Sequence, residues 1–341
     1  MSNLCYNKIT LYLEREQKNM KFQKKLALCL ASLTLFSSTT FATRPLNPTE
    51  TQLKEAIRTN NLKTIQQIIE SNPDLVNLLM YSSGYTPLYI AAQNNNIDQV
   101  ELLLAHGANP NIQDKEGHSP LQWAVCKNNL EMVSLLLNHN ADPNAQDRHG
   151  DTPLSLAVKK NQRDMIRLLL DHNADPNAQD RHGDTPLHRA ARENDLAMVA
   201  FFLNHNARPD VQENDGMTPL HLAVWENNLE MVALLLNHNA DPNAQNHRGD
   251  TPLHIAVRMN RREIIMLLLN HNADPNAQNH RGDTPLHIAV RMNLREITML
   301  LLSCGANPTI MNRIGRAPLH AAAKQRNREI MALLLNSWRR Y

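Results

Sequence analysis

The chain has 341 residues, 42% hydrophobic, 4% aromatic and 20% charged, and its 35 Lys and Arg against 33 Asp and Glu leave a formal net charge of +2. That balance excludes an acidic or basic tail protein, a collagen-like chain and a polytopic membrane protein, and it offers a nucleic acid little counterion release. Length alone suggests two ordinary globular domains, but so few aromatic residues are a thin supply for two compact cores. The four cysteines, Cys5, Cys29, Cys126 and Cys304, form no close pair and no Cys-x-x-Cys, so neither a disulfide framework nor a structural zinc site is written here.

From Met20 the chain runs through a short basic region, MKFQKK, an apolar stretch, LALCLASLTLF, and a polar end, SSTTFA, with Thr40 and Ala42 at small-residue positions. This order predicts a secretory signal peptide over 20–42, cut between Ala42 and Thr43. The apolar run is shorter than the roughly 18 residues that span a bilayer, and a retained anchor or plain disorder are the alternatives. Residues 1–19 fit such a segment poorly, which leaves both Met1 and Met20 open as the start. An exported chain is therefore expected, secreted or periplasmic, with a short linker over 43–49 and no integral membrane segment.

Beyond it one sentence is written repeatedly. Pro87, Pro120, Pro153, Pro186, Pro219, Pro252, Pro285 and Pro318 stand 33 residues apart, each followed by Leu, and Gly84, Gly117, Gly150, Gly183, Gly216, Gly249, Gly282 and Gly315 each precede the proline by three. The repeats so bounded are 84–116, 117–149, 150–182, 183–215, 216–248, 249–281 and 282–314, with a degenerate copy over 50–83 and a capping copy over 315–341. Within one copy, Thr251 suits an N-cap, because its hydroxyl can accept from a free first-turn amide, and Pro252 suits the first helical position, having no amide to leave unpaired. Asn260 ends this short helix, since Asn tolerates the left-handed conformation; a second helix carries Ile264, Leu267, Leu268 and Leu269, and Asn272 closes it. The segment from Asp274 to Asp283 has the Pro, Asn and Gly punctuation of a hairpin tip.

The period of 33, the Thr-Pro-Leu-His-x-Ala helix start and the Ala-Asp-Pro-Asn-Ala entry resemble the ankyrin repeat over roughly 50–341. The resemblance implies an all-α repeat solenoid of stacked helix-turn-helix units with β-hairpin tips, in which each pair buries its apolar face against its neighbours. Ala124, Ala157, Ala190, Ala223, Ala256 and Ala289 would permit close helix approach, which explains the economy in aromatics.

The residues that look chemical mostly fall into columns. Sixteen histidines occupy three: His188, His221, His254, His287 and His320 in the Thr-Pro-Leu-His slot, His106, His139, His172, His205, His238 and His271 at the end of the second helix, and His118, His149, His182, His247 and His280 at the tips. Members of one column should recur on the order of 10 Å apart, far beyond the roughly 2 Å reach of a shared zinc ion, so a structural role is expected and no metal or cofactor. Near-identical copies also suit catalysis poorly, because an active site needs unlike groups converging on one atom; no enzyme is expected. The tripeptide Arg-Gly-Asp at Arg248–Asp250 and Arg281–Asp283 matches integrin ligands, but its glycine is demanded by the turn.

Departures from the repeat carry the functional expectation. In the family the partner lies across the tips and the outward side of the first helix, which form a concave face. The first outward position there reads Gln93, Cys126, Lys159, Arg192, Trp225, Arg258, Arg291 and Lys324. Trp225, with Met217 nearby and Arg192 and Arg258 in the adjoining copies, has a hot-spot composition. A partner protein, acidic in character, is expected on this basic row, with the chain itself monomeric; likeness to secreted ankyrin proteins of host-associated bacteria implies a host protein. The alternative is a structural spacer or envelope scaffold with no specific partner. Trp123 stands in an apolar column and is expected in the core, while Lys324, Arg326, Arg328, Arg339 and Arg340 suggest a polar cap. The resemblance further implies that Asn144, Asn177, Asn243 and Asn276 are candidates for hydroxylation by a host oxygenase. Protonating all sixteen histidines would raise the charge from +2 to +18 (2 + 16), and a pH response is an expectation of that arithmetic.

Overall fold

The computed structural model describes residues 47–81 and 83–338; the segment 1–19, the expected signal peptide with its Ala42–Thr43 cleavage point, and Arg339 and Arg340 lie outside them. Within that range the chain forms eighteen α-helices in nine antiparallel pairs and one short 3-10 turn, Pro73–Asn77. The first helix of the first pair runs Pro48–Arg58, so the helix begins inside the stretch expected as linker, where Asn47 accepts from the Glu50 amide and the Glu50 carboxylate accepts from the Asn47 amide. In later pairs the first helix is seven residues long, as in Pro252–Arg258, and the second is nine, as in Arg262–Asn270, except for the last, Arg328–Trp338, of eleven.

Local chemistry places most of the boundaries. Thr86, Ser119, Thr152, Thr185, Thr218, Thr251 and Thr284 each cap a first helix through the hydroxyl, and proline follows at the first helical position. The first helices end where Asn turns left-handed, at φ 54° for Asn260 and 60° for Asn293. The second helices end likewise at Asn140, Asn173, Asn206, Asn239 and Asn272, or at Gly107 and Gly305, where a Cβ would meet nothing within 4 Å. The tip glycines answer to a different constraint. At Gly282, φ is +74° and a Cβ would lie 2.6 Å from the Arg313 amide of the next tip, so packing as well as conformation requires glycine.

No strand occurs among the described residues, so the expected β-hairpin tips are instead turns. Each is closed by a bond such as Asp147 N–H to Asp151 O (3.0 Å) and tied to its predecessor by one such as Arg148 N–H to Glu116 O (3.1 Å). One amide per tip crosses to the neighbour, too few for a ladder. The core is a continuous seam in which Leu121, Leu154, Leu187, Leu220, Leu253 and Leu286 are wholly buried beside the alanine column. Trp123 departs from expectation. It is half-buried, its ring 6.4 Å from that of Tyr89 with the Lys127 ammonium 5.0 Å above it.

Candidate functional site

Along the outward side of the first helices, most of the expected basic row is engaged. Arg258 Nη2 donates to Asp250 Oδ2 at 2.9 Å, Arg291 Nη1 to Asp283 Oδ2 at 2.7 Å, and Arg192 Nη1 to Asp184 Oδ2 at 2.8 Å, each across eight residues. Lys159 pairs with Asp151 in the same way and reaches Asp180 at 3.5 Å. The pairing follows from the repeat, because the tip aspartate sits just before the N-cap and the base two turns on, so their side chains meet over the helix start. Each aspartate is largely buried: burial disfavours the Asp184 and Asp283 carboxylates, but Arg192 and Arg291 outweigh it and hold both below the ordinary range. Four of the five basic residues of the row are thus paired with tip aspartates, and the fifth, Lys324, has no ion pair among the described residues.

One rung is apolar. Trp225 and Met217 occupy the two positions that Arg258 and Asp250 hold one repeat later. Trp225 is 44% exposed, whereas Met217 is half-buried, packs on the core and accepts a contact from Asn246 Nδ2 at its sulfur (3.4 Å). A second rung also departs: Arg316 and Lys324, both exposed, occupy the two positions that Asp283 and Arg291 hold one repeat earlier.

The neighbouring tip is also unusual. Glu213 accepts from Arg192 Nη2 at 3.4 Å, but burial and then the charge of Asp184 push its carboxyl up to about 7. The Arg-Gly-Asp tripeptides are not presented to solvent as ligands, since Asp250 and Asp283 are 2% exposed and their Oδ1 atoms accept from Asn279 and Asn312.

The histidines serve the stack. His221 Nδ1 accepts from the Thr218 amide (3.2 Å) and its Nε2–H donates to Asp250 O of the next repeat (3.1 Å); His188, His254 and His287 do the same toward Met217, Arg316 and Asp283 carbonyls, in the order His188 to Met217, His254 to Asp283 and His287 to Arg316. Burial lowers all four pKa values, that of His221 to about 4. The second column, as in His271, donates Nδ1–H to the carbonyl four residues back, Leu267 O at 2.9 Å. His118 is the exception: hydrogen bonding to Asp114 holds its pKa above the ordinary value, with Asp147 3.7 Å away on its other side. Asn144, Asn177, Asn243 and Asn276 bracket the next repeat with both amide atoms, Asn144 Oδ1 accepting from Asp175 N (2.7 Å) and Nδ2 donating to Asn173 O (3.3 Å).

A family model described as ankyrin repeats (3 copies) matches residues 53–147, 100–180, 179–246, 201–279, 238–312 and 272–339. The chain belongs to the ankyrin-repeat family. Among solved structures, this ankyrin chain is similar to the ankyrin repeat domain of Bcl-3, a member of the IkappaB protein family, at 34% identity and a TM-score of 0.54, over 60% of this chain and 94% of that one. Among curated proteins it is similar to ankyrin repeat domain-containing protein 49 of Drosophila melanogaster, 37% identical over 66 residues, 19% of this chain and 30% of that protein. An ankyrin repeat protein of Fowlpox virus (strain NVSL) is 35% identical over 67 residues, 20% of this chain and 16% of its own length. The chain thus spans less than a third of these curated relatives. Ankyrin repeats are in general protein-interaction scaffolds rather than enzymes, and no helix among the described residues is long and apolar enough to cross a membrane.

One feature of this ankyrin chain escaped the sequence reading. Tyr81, Tyr85, Tyr89 and Trp123 form an aromatic run, with Tyr85 and Tyr89 stacked at 4.5 Å and Tyr81 edge-on to Tyr85 at 6.1 Å. Tyr89 takes the histidine slot and donates its hydroxyl to Asp114 Oδ2 at 2.9 Å. The signal was present as two tyrosines in columns that mostly hold Asp and His elsewhere, but their stacking is set by the repeat spacing in space.

Proposed function

We propose that this chain is an exported, non-enzymatic binding module that takes a protein partner, in this reading a host protein, on its concave ankyrin face, centred on Trp225 and Met217. The observation that carries it is the apolar rung. An ion pair is replaced at both of its positions by large apolar side chains, one of them left in water, where burial by a partner would contribute about 1.5–3 kcal/mol. Because Arg192, Arg258 and Arg291 already have carboxylate partners, they frame this rung rather than recruit an acidic ligand by free charge. Acidic character in a partner is expected instead near Lys324 and Arg316. Hydroxylation of Asn144, Asn177, Asn243 or Asn276 remains part of the proposal, to be read by intact mass after exposure to host extract.

The self-neutralised ladder favours a second reading, a spacer with no specific partner. Capture from host extract by the mature chain from Thr43, compared with the Trp225→Ala and Met217→Ala double variant, separates the two. The binding module predicts specific captured protein that the variant loses while its melting temperature stays unchanged; identical capture profiles for both would leave the spacer.

A further inference from the structure

We infer that the row of tips is a docking edge for a linear sulfated polysaccharide, seated on Arg248, Arg281 and Arg313 of three successive tips. The two columns that hold these residues are exposed in every repeat, so their accessibility is a property of the tip and not of any one place along the stack. Consecutive tips are tied side by side, His280 N–H to Arg248 O at 3.0 Å and Arg313 N–H to Arg281 O at 3.0 Å. The three guanidiniums therefore recur along one edge at about the 8–10 Å interval of stacked helices.

What sets these tips apart is the loss of their acids. The residue that organises each turn is Asp114, Asp147, Asp180 or Glu213 in the earlier tips and Asn246, Asn279 or Asn312 here. Asn246 Oδ1 accepts from the Arg248 and Asp250 amides at 2.9 and 3.1 Å, as Asp147 Oδ1 does from His149 and Asp151 at 2.7 and 2.9 Å. The turn is kept and its charge is gone. The carboxylates that remain, Asp250 and Asp283, are 2% exposed and held by Arg258 and Arg291. Arg248, Arg281 and Arg313 have no carboxylate in ion-pair reach among the described residues, and His247 and His280 are exposed beside them. Earlier in the stack Arg148 meets Glu116 at 3.9 Å, Arg181 lends its charge to the Asp147 carboxylate, and exposed Asp215 breaks the row. The net +2 of the chain conceals this local run of cations.

The make-up of the edge selects the ligand. Guanidinium forks suit the oxygens of a sulfate group. The amides of Arg248, His280, Arg281 and Arg313 are already bonded, so binding rests on side-chain charge alone. Neither column contains an aromatic ring on which an unpaired base could stack, and an edge one tip wide does not reach two phosphate strands across a groove. Between Arg248 and Arg313 the columns hold only His280 and Arg281, which give a folded protein no apolar anchor. An acidic peptide would have to fix its backbone and side-chain torsions against charge alone, whereas sugar rings carry sulfates on a stiff chain.

The test uses the full chain and a fluorescein-labelled heparin oligosaccharide, read by anisotropy. Comparators are the same oligosaccharide after desulfation, a poly-glutamate peptide and a single-stranded oligonucleotide of matched charge. Heparin should bind in preference to all three and weaken steeply with salt through counterion release. Joint Arg248→Ala, Arg281→Ala and Arg313→Ala substitution should weaken it about tenfold or more and flatten the salt slope. Lys115→Ala with Arg148→Ala and Arg181→Ala should cost less. Trp225→Ala with Met217→Ala should leave heparin binding unchanged, which keeps this edge independent of the concave-face reading. The three arginines make no side-chain hydrogen bond among the described residues, so the triple variant should melt with the parent, and a circular dichroism melt checks this. No binding of heparin, equal binding by the triple variant or of the desulfated chain, or binding of the peptide or oligonucleotide as tight as heparin's would overturn the proposal.

Discussion

Trp225 and Met217 stand eight residues apart at the two positions where Arg258 and Asp250 form an ion pair one repeat further on. The repeat thus offers its own repair. Trp225→Arg with Met217→Asp should rebuild the rung, and because the pair is partly exposed the double variant should differ from the sum of the single variants by about 0.2–1 kcal/mol. Denaturant melts of the cycle measure that coupling. Partner capture by the same repaired protein should be lost, since the apolar rung is gone while the fold is intact.

The buried histidines set the cost of breaking the stack. His221→Ala removes an acceptor for the Thr218 amide and a donor to Asp250 O, both buried, and should destabilise by about 2–4 kcal/mol. His320→Ala, at the open end, should cost under about 1 kcal/mol. His221→Gln should fall between, because Gln122 makes both bonds in its own repeat, accepting from Ser119 N at 2.8 Å and donating to Asp151 O at 2.8 Å. Three urea melts decide the order.

Acid should unfold this protein through the same column. His188, His221, His254 and His287 have folded pKa values lowered by burial, that of His221 to about 4, against an unfolded value of about 6.5. The unfolded chain therefore binds more protons as pH falls, so the stability is complete above about 6.5 and is lost toward 4, by up to about 1.4 kcal/mol per pH unit for a fully buried group. Asp184 and Asp283, held below the ordinary range by arginines, lose stability in the same direction at lower pH. The melting temperature should fall from pH about 7 to about 5, less steeply in His221→Gln. The charge swing of all sixteen histidines is accordingly not open to the folded chain.

Glu213 should show the opposite slope. Its folded pKa of about 7 exceeds the ordinary carboxylate value, so it favours folding below the unfolded pKa and loses that contribution as pH rises through 7. Glu213→Gln should then be more stable than the parent at alkaline pH, and the difference should close below about pH 4.5. Melts at matched ionic strength read the crossover.

Glycine is needed for different reasons in its two columns. Gly282→Ala would place a Cβ 2.6 Å from the Arg313 amide at positive φ and should cost more than about 2 kcal/mol. At Gly305 an added Cβ meets nothing within 4 Å, and Gly305→Asn copies Asn272, which holds φ 63°, so its cost should stay within about 0.5 kcal/mol. Thermal melts of the two variants should separate clearly.

The repeat itself was legible in one dimension, because Thr-Pro caps, left-handed Asn and Gly positions and the Leu and Ala columns each act within a few residues of chain. Trp225 and Met217 were likewise visible as departures from a column. What the sequence could not supply was which charges meet. The row of Lys and Arg reads as free positive charge until Asp151, Asp184, Asp250 and Asp283 fold over the helix starts and neutralise it. The end of the stack is a second case, since Leu319 and Leu286 are the same residue type in the same motif, and only the presence of a following repeat makes one buried and the other half-open. Local capping and periodicity are properties of the chain, whereas burial and ion pairing depend on what lies one repeat away in space.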